Sequence, residues 1–445
     1  MNRLKRLWCR LRDSFWFVPS LMVALSMVLA ISLIELDSSG LKYLLGRWPR
    51  VFGASAEGAR GILSTIAGSM MTVVGITFSM ILVTLTLASS QYTSRILRNF
   101  VRNRITQVVL GLFAGIFTYC LVVLRTIRGG DLNEFVPSLS VTVAVLFAIV
   151  GIAVLIFFIH HNAPSIQASR IIAAVAEETL NAIERLFPGK LGEGAGSEAE
   201  EASRGTVIER KWQAIPAPRN GYIQSIDDST LLCLAREQKT VVRMECGIGG
   251  FVVQGTPLVM IGLDEVPDDD VIAALQNAYG IDRHRTVEQD AGFGIRQLVD
   301  MALRALSPGI NDTTTAVMCV DYLNTILSRL ASREIPSSFR YEDGELRVIA
   351  IGPSFEKLVS ESFDQIRGSS AGNLAIMLRM LGALHTIGSF TESAARREVL
   401  SLHALHLAEL AEESLKFQPD RECFDMRYDT FGFTRARTKL SRLSP

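Results

Sequence analysis

Five hydroxyl side chains, Thr65, Ser69, Thr72, Ser79 and Thr86, recur with Gly68 and Gly75 at steps of three, four or seven through an otherwise apolar stretch. On an α-helix these steps return to one face, which makes a stripe of small and polar groups. Such a stripe has two uses. It packs helices, because small side chains let backbones approach and hydroxyls bond across the contact or back to the i−4 carbonyl. Alternatively, identical stripes from several subunits line a water-filled path. No Asp, Glu, Lys or Arg lies between Ile62 and Ser90, so nothing there selects charge, couples an ion or relays a proton. The chemistry expected of the stripe is passive permeation, not pumping.

Three other groups of residues carry possible chemistry. His160 and His161 close a later apolar run, and imidazoles titrate near neutral pH; they read as interfacial anchors or as a pH-sensitive gate. The densest polar constellation is Arg283, His284, Arg285, Glu288, Gln289 and Asp290 with Arg296, Arg304, Ser307, Asn311, Asp312 and Thr313. It reads as helix caps and surface ion pairs, or as a site for a small anionic ligand at a helix N-terminus or for a subunit contact. His403 and His406 stand i, i+3 beside Glu398 and Glu409, but structural zinc normally takes four convergent ligands and no metal is expected. There is no G-x-x-x-x-G-K-S/T loop, no H-E-x-x-H and no G-x-S-x-G. Gly292-Phe293-Gly294 is a lone G-x-G. The expectation is therefore no catalytic residue, no enzymatic activity and no cofactor.

These groups need elements to hold them. Lys+Arg and Asp+Glu balance at 45 each, which removes a nucleic-acid partner as an expectation. The six cysteines are scattered without a C-x-x-C pair and read as reduced thiols. Residues 1–160 carry the long apolar runs, with spans expected at about 17–36, 62–90, 105–127 and 137–159, each near the roughly 20 residues that cross a bilayer. Arg3, Lys5, Arg6, Arg10 and Arg12 precede the first span, and Arg95, Arg98, Arg102 and Arg104 join the second to the third. By the positive-inside rule both belong in the cytoplasm. Four spans with both termini cytoplasmic in a bacterial inner membrane satisfy every loop. Arg125, near the outer end of the third span, is expected to snorkel to the headgroups.

The remainder reads as a mixed α/β cytoplasmic region. Residues 161–205 are expected to form an amphipathic helix, with Ser165 as cap and Ile172, Val175, Ala176, Ile183, Leu186 and Phe187 on one face, followed by a flexible linker, PGKLGEGAGSEAEEASRG. Residues 206–263 form a small β-rich module punctuated by Gly249, Gly250 and Gly255; its GGFVVQGTPL ending resembles half of the barrel-sandwich modules of biotin and lipoyl carriers, without the attachment lysine. Residues 264–420 are mainly helical, interrupted by SPGIN and by a hairpin turning at Asp343-Gly344. Residues 421–445 are expected to be a polar tail with little regular structure.

Several strings taken in order, LSTIAGSMMTVVGITFSMILVTLTLASSQYTSRILRNF, FFIHHNAPSIQ, NGYIQSID and RTVEQDAGFGIRQLVDMALRALSPGINDTTTA, resemble a bacterial family of predicted membrane proteins catalogued as a domain of unknown function. The resemblance spans nearly the whole chain and implies an inner-membrane location and this layout. It implies no activity. The leading expectation is a homo-oligomeric channel or passive transport protein in the lipid bilayer, carrying a small ion, with the cytoplasmic half assembling and gating it. The alternative is a membrane-anchored sensor or scaffold that binds a ligand or partner near Arg285 and Asp312.

Overall fold

The computed structural model describes residues 16–38, 55–91, 104–128, 135–162, 167–186, 193–194, 211–287, 289–335 and 338–433. The basic head, most of the 91–104 connection, Ser165 and Glu288 lie outside the described residues. The chain divides into two units, Met1–Gln167 and Ala168–Pro445.

The N-terminal unit is a bundle of α1 (Phe17–Ser38), α2 (Ala56–Gln91), α3 (Arg104–Thr126) and α4 (Ser138–Asn162), each long and apolar enough to cross a membrane. Three match their expected spans closely. The second begins six residues early and runs for 36 residues, about 54 Å at 1.5 Å per residue against a bilayer core of about 30 Å. The early start has a local cause, because Ser55 Oγ accepts from the Gly58 amide at 3.2 Å and caps the first turn.

At the centre lies α3, which packs on α1, α2 and α4 and buries Phe113, Ile116, Tyr119, Cys120 and Val123. Two glycines bring α1 close. A Cβ on Gly111 would lie 2.9 Å from Pro19 Cα, and one on Gly115 would lie 3.5 Å from the Met22 carbonyl. The outside of the bundle is apolar: Val28, Ile76, Ile149 and Ile156 are each at least 60% exposed.

The C-terminal unit opens with α5 (Ala168–Leu186) and continues through two sheets. Strands β1 (Glu193–Gly194), β2 (Gln213–Pro216), β3 (Gly221–Ile226), β4 (Val242–Met244), β5 (Phe251–Val252), β6 (Pro257–Ile261), β7 (Tyr279–Asp282), β8 (Phe339–Glu342) and β9 (Glu345–Ile349) pair in the orders β1-β8-β9-β4-β6-β2 and β5-β3-β7. Helices α6 (Asp228–Glu237) and α7 (Asp269–Asn277) help close a core of Ile223, Leu231, Val242, Leu258, Val259, Leu275 and Ile281. The β region therefore does not end at residue 263. It takes β7 from 16 residues beyond, and it takes the β8–β9 hairpin through the parallel pairing Val242↔Val348. The hairpin turns where Asp-Gly predicts: Asp343 and Gly344 have φ of 54° and 77°, the two positive values of a type I′ turn. Glu193 and Gly194, inside the expected linker, pair with Tyr341 and Arg340.

The helical layer comprises α8 (Ala291–Ala305), α9 (Thr313–Ala331), α10 (Phe355–Ser369), α11 (Leu374–Ser389), α12 (Ala394–Ser414) and α13 (Gln418–Thr430). The amphipathic α5 docks on α8 and α9, with Thr179 lying over Gly294 and Glu184 2.9 Å from Arg329. Its apolar face is thus spent inside its own unit. The expectation of an irregular tail from residue 421 fails as far as Thr430, where α13 ends. Pro419 in the first turn favours a helix start, and burial of Phe424 and Tyr428 anchors α13.

Candidate functional site

The stripe of α2 lies opposite its packed face. Inward, Ala59, Leu63, Ala67, Met70 and Thr77 are buried. At about 100° per residue, the stripe residues project from the other side of the helix, and Thr65, Ser69, Thr72, Ser79 and Thr86 are all exposed. Among the described residues, Gly61, Gly68 and Gly75 face open space, with no neighbouring atom within 4 Å of a Cβ placed on any of them. The stripe is therefore no part of the packing among α1, α3 and α4.

Placing Gly61 on this face exposes a regularity that a span starting at Ile62 hides. Gly61-x3-Thr65, Gly68-x3-Thr72 and Gly75-x3-Ser79 repeat every seven residues, and Thr86 falls on the next repeat. A helix of 3.6 residues per turn drifts by about 20° per heptad, so a strict seven-residue repeat stays aligned with a neighbour only under a left-handed supercoil. The threonine hydroxyls of the stripe are satisfied within the helix: Thr65, Thr72 and Thr86 donate to the carbonyls of Gly61, Gly68 and Leu82 at 2.8, 3.0 and 2.9 Å. Bonded in this way they can border protein, lipid or water without an orphaned donor.

Two charged side chains hold one end of the bundle. Asp37, in the last turn of α1, is 3% exposed; it accepts from the amides of Leu139 and Ser140 at 3.2 and 3.1 Å and from Ser140 Oγ at 2.9 Å. A carboxylate thus caps the N-terminus of α4, where the helix dipole is positive. Tyr119 Oη donates to the Ser140 carbonyl at 2.9 Å from the other side. Arg60 supplies the complement, donating to the Ile127 carbonyl at 2.9 Å just past the C-terminus of α3. An expected first span that ends at Leu36 leaves Asp37 in a loop; an acid closing an apolar span is the signal that could have found it.

His160 and His161 occupy the last turn of α4, where cationic groups suit the dipole. The His161 ring stacks on Phe157, with centroids 5.7 Å apart. The polar constellation of the C-terminal unit is split in two. Arg285 pairs with Asp290 Oδ2 at 2.8 and 2.7 Å and lies over the Phe293 ring at 5.1 Å. Asp290 Oδ1 accepts from the Phe293 amide at 2.9 Å and caps α8. Arg283 and His284 are exposed beside this pair. Asn311 and Asp312 stand past the far end of α8, whose 15 residues put about 22 Å between the two groups. There Asn311 takes the left-handed conformation, φ 49°, and Asp312 caps α9 through the Thr315 amide and hydroxyl at 3.0 and 2.6 Å. Those bonds, the hydroxyl first, hold the Asp312 carboxyl below its usual range.

Four long apolar helices bundled ahead of a mixed α/β unit with a helical C-terminal layer are the layout of a predicted membrane protein. The chain matches the family described as predicted membrane protein (DUF2254) over residues 12–386 and belongs to it. Uncharacterized proteins of Mycobacterium bovis and Mycobacterium tuberculosis are 31% identical to it over 433 residues, which is 95% of this chain and 80% of theirs. No solved structure matches.

Proposed function

We propose that the chain crosses the bacterial inner membrane four times, with both termini in the cytoplasm, and assembles as a homo-oligomer in which α2 helices from several copies border a passive path for a small ion or solute. The observation that carries this reading is the open heptad stripe of α2. Its glycines allow another backbone to approach closely, and its seven-residue period suits a partner of the same sequence. The apolar exterior of the bundle supports immersion in lipid, and the excess of arginine between α2 and α3 supports the orientation. Helices converging on this face would place hydroxyls at about every second turn along an axis. The C-terminal unit would then set subunit number and gate the path. The rival reading, ligand binding through Arg285 and Asp312, asks for a cation that Asp290 already holds and for two groups a helix length apart.

Purified protein in planar bilayers should conduct, and Ser69→Phe, Thr72→Leu and Ser79→Leu should each change unit conductance. A correctly folded oligomer that never conducts would overturn the path. A protein that stays monomeric in lipid would overturn the assembly as well.

A further inference from the structure

A second arrangement outside the bundle joins two helices through a titratable ring. His403, on α12, is 7% exposed, and its ring spans one turn of α10. Nε2 lies 3.2 Å from Ser360 Oγ and Nδ1 lies 3.4 Å from Asp364 Oδ1. A serine, a histidine and a carboxylate in this order invite comparison with a nucleophilic triad. Ser360, however, stands in mid-helix, where neighbouring amides are spent on i−4 carbonyls and no pair remains to hold an oxyanion. The chemistry left to the cluster is proton binding at a helix contact.

We propose that His403 is a proton-sensitive latch: as the neutral imidazole it docks α12 on α10, and on protonation it loosens α12 together with α13, which packs against it. The groups acting on the ring are Glu356, Asp364 and Arg367 from α10 and His406 from α12 itself. Burial disfavours the charged ring most, Arg367 and His406 add to that, and Asp364 and Glu356 oppose it, so the ring titrates below its ordinary value of 6.5. Asp364 has 43% of its side chain exposed, which screens its attraction. Because the docked value is the lower one, the contact is at full strength above about pH 6.5 and weakens as pH falls from there through the docked value. A second imidazole must be separated from this effect: His385, on α11, stacks on Phe431 with centroids 4.4 Å apart.

The test is hydrogen exchange of the full-length protein in detergent at pH 7.5 and 5.5, corrected for intrinsic exchange and read on peptides of α12 and α13 against those of α9. Acidification should cut the protection of α12 by up to about tenfold, the limit that one proton sets over this interval, and leave α9 unchanged. His403→Gln should abolish the difference, and His385→Gln should keep it. Asp364→Asn, which removes the charge favouring the imidazolium, should deepen the loss at pH 5.5. A pH-independent wild type, an equal loss in His403→Gln, or an Asp364→Asn profile identical to wild type would each overturn the latch; the last variant also decides the matter if His403→Gln does not fold.

Discussion

Two glycine-bearing helices of the same bundle behave in opposite ways. On α3, Gly111 and Gly115 lie four residues apart and face α1 so closely that a Cβ on the first would lie 2.8 Å from Met22 Sδ. On α2, Gly61, Gly68 and Gly75 lie seven apart and meet nothing within 4 Å among the described residues. The α3 pair is a small-x3-small seam used inside the chain. The α2 series is the same device with no user among the described residues. Composition singles out α2, because hydroxyls accompany its glycines, yet the fold relies on α3. Small-residue spacing identifies a surface built for close approach; it does not say which helix approaches.

The sharpest way to break this contrast is Gly111→Leu. Its first carbon alone conflicts with the Pro19 backbone, which cannot swing aside as a side chain would. Overpacking of this kind costs about 3 kcal/mol or more, and the expected result is a lower Tm in detergent with loss of monodisperse protein. Gly68→Leu should leave the Tm of the dissociated single chain near wild type, because its side chain enters open space within the chain. Equal losses from the two substitutions would erase the distinction between the helices.

Next in size is Asp37→Ala, which strips three accepted hydrogen bonds from the start of α4 and should cost about 2 kcal/mol. Asp37→Asn keeps one side-chain oxygen as an acceptor and should recover part of the loss. Thermal unfolding of the three proteins side by side measures it. In the C-terminal unit, Gly294→Ala repeats the α3 situation outside the four-helix bundle. The added carbon would lie 2.9 Å from Thr179 Cβ and should force α5 off α8 at about 1–3 kcal/mol; pairing it with Thr179→Gly should restore much of the loss if that contact is the cause.

The legible parts of this molecule are those decided locally. Twenty apolar residues announce a span, and Asp343-Gly344 announces its turn because both positions need positive φ. The stripe itself was legible, but its direction was not: periodicity puts Thr65, Thr72 and Ser79 on one face, and only packing of the opposite face against α3 turns that face outward. The sheet was hidden for a different reason. Val242 finds Val348 more than a hundred residues on, and strands of two to five residues carry too little alternation to advertise a partner. Arg285 shows the limit for sites. In the sequence its side chain is free for an anion, whereas in the fold Asp290, five residues later, both caps a helix and holds the guanidinium.

The smallest expected effect is the most discriminating. Gly68→Ala and Gly75→Ala place a methyl group in open space within a long helix, where alanine is favoured over glycine by roughly 0.5–1 kcal/mol. The isolated bundle should therefore hold its Tm or gain a degree or two. If copies of α2 meet across these glycines, however, each methyl must be accommodated at the contact once per subunit, and close approach is lost. Alanine should then stabilise the single chain and weaken the assembly, a reversal that Gly111→Ala cannot produce because its contact lies within the chain. Native mass spectrometry or cross-linking in lipid, run beside the thermal melts, reads both signs at once. An oligomer unaffected by both alanines would assign the stripe to lipid and move the subunit contact elsewhere.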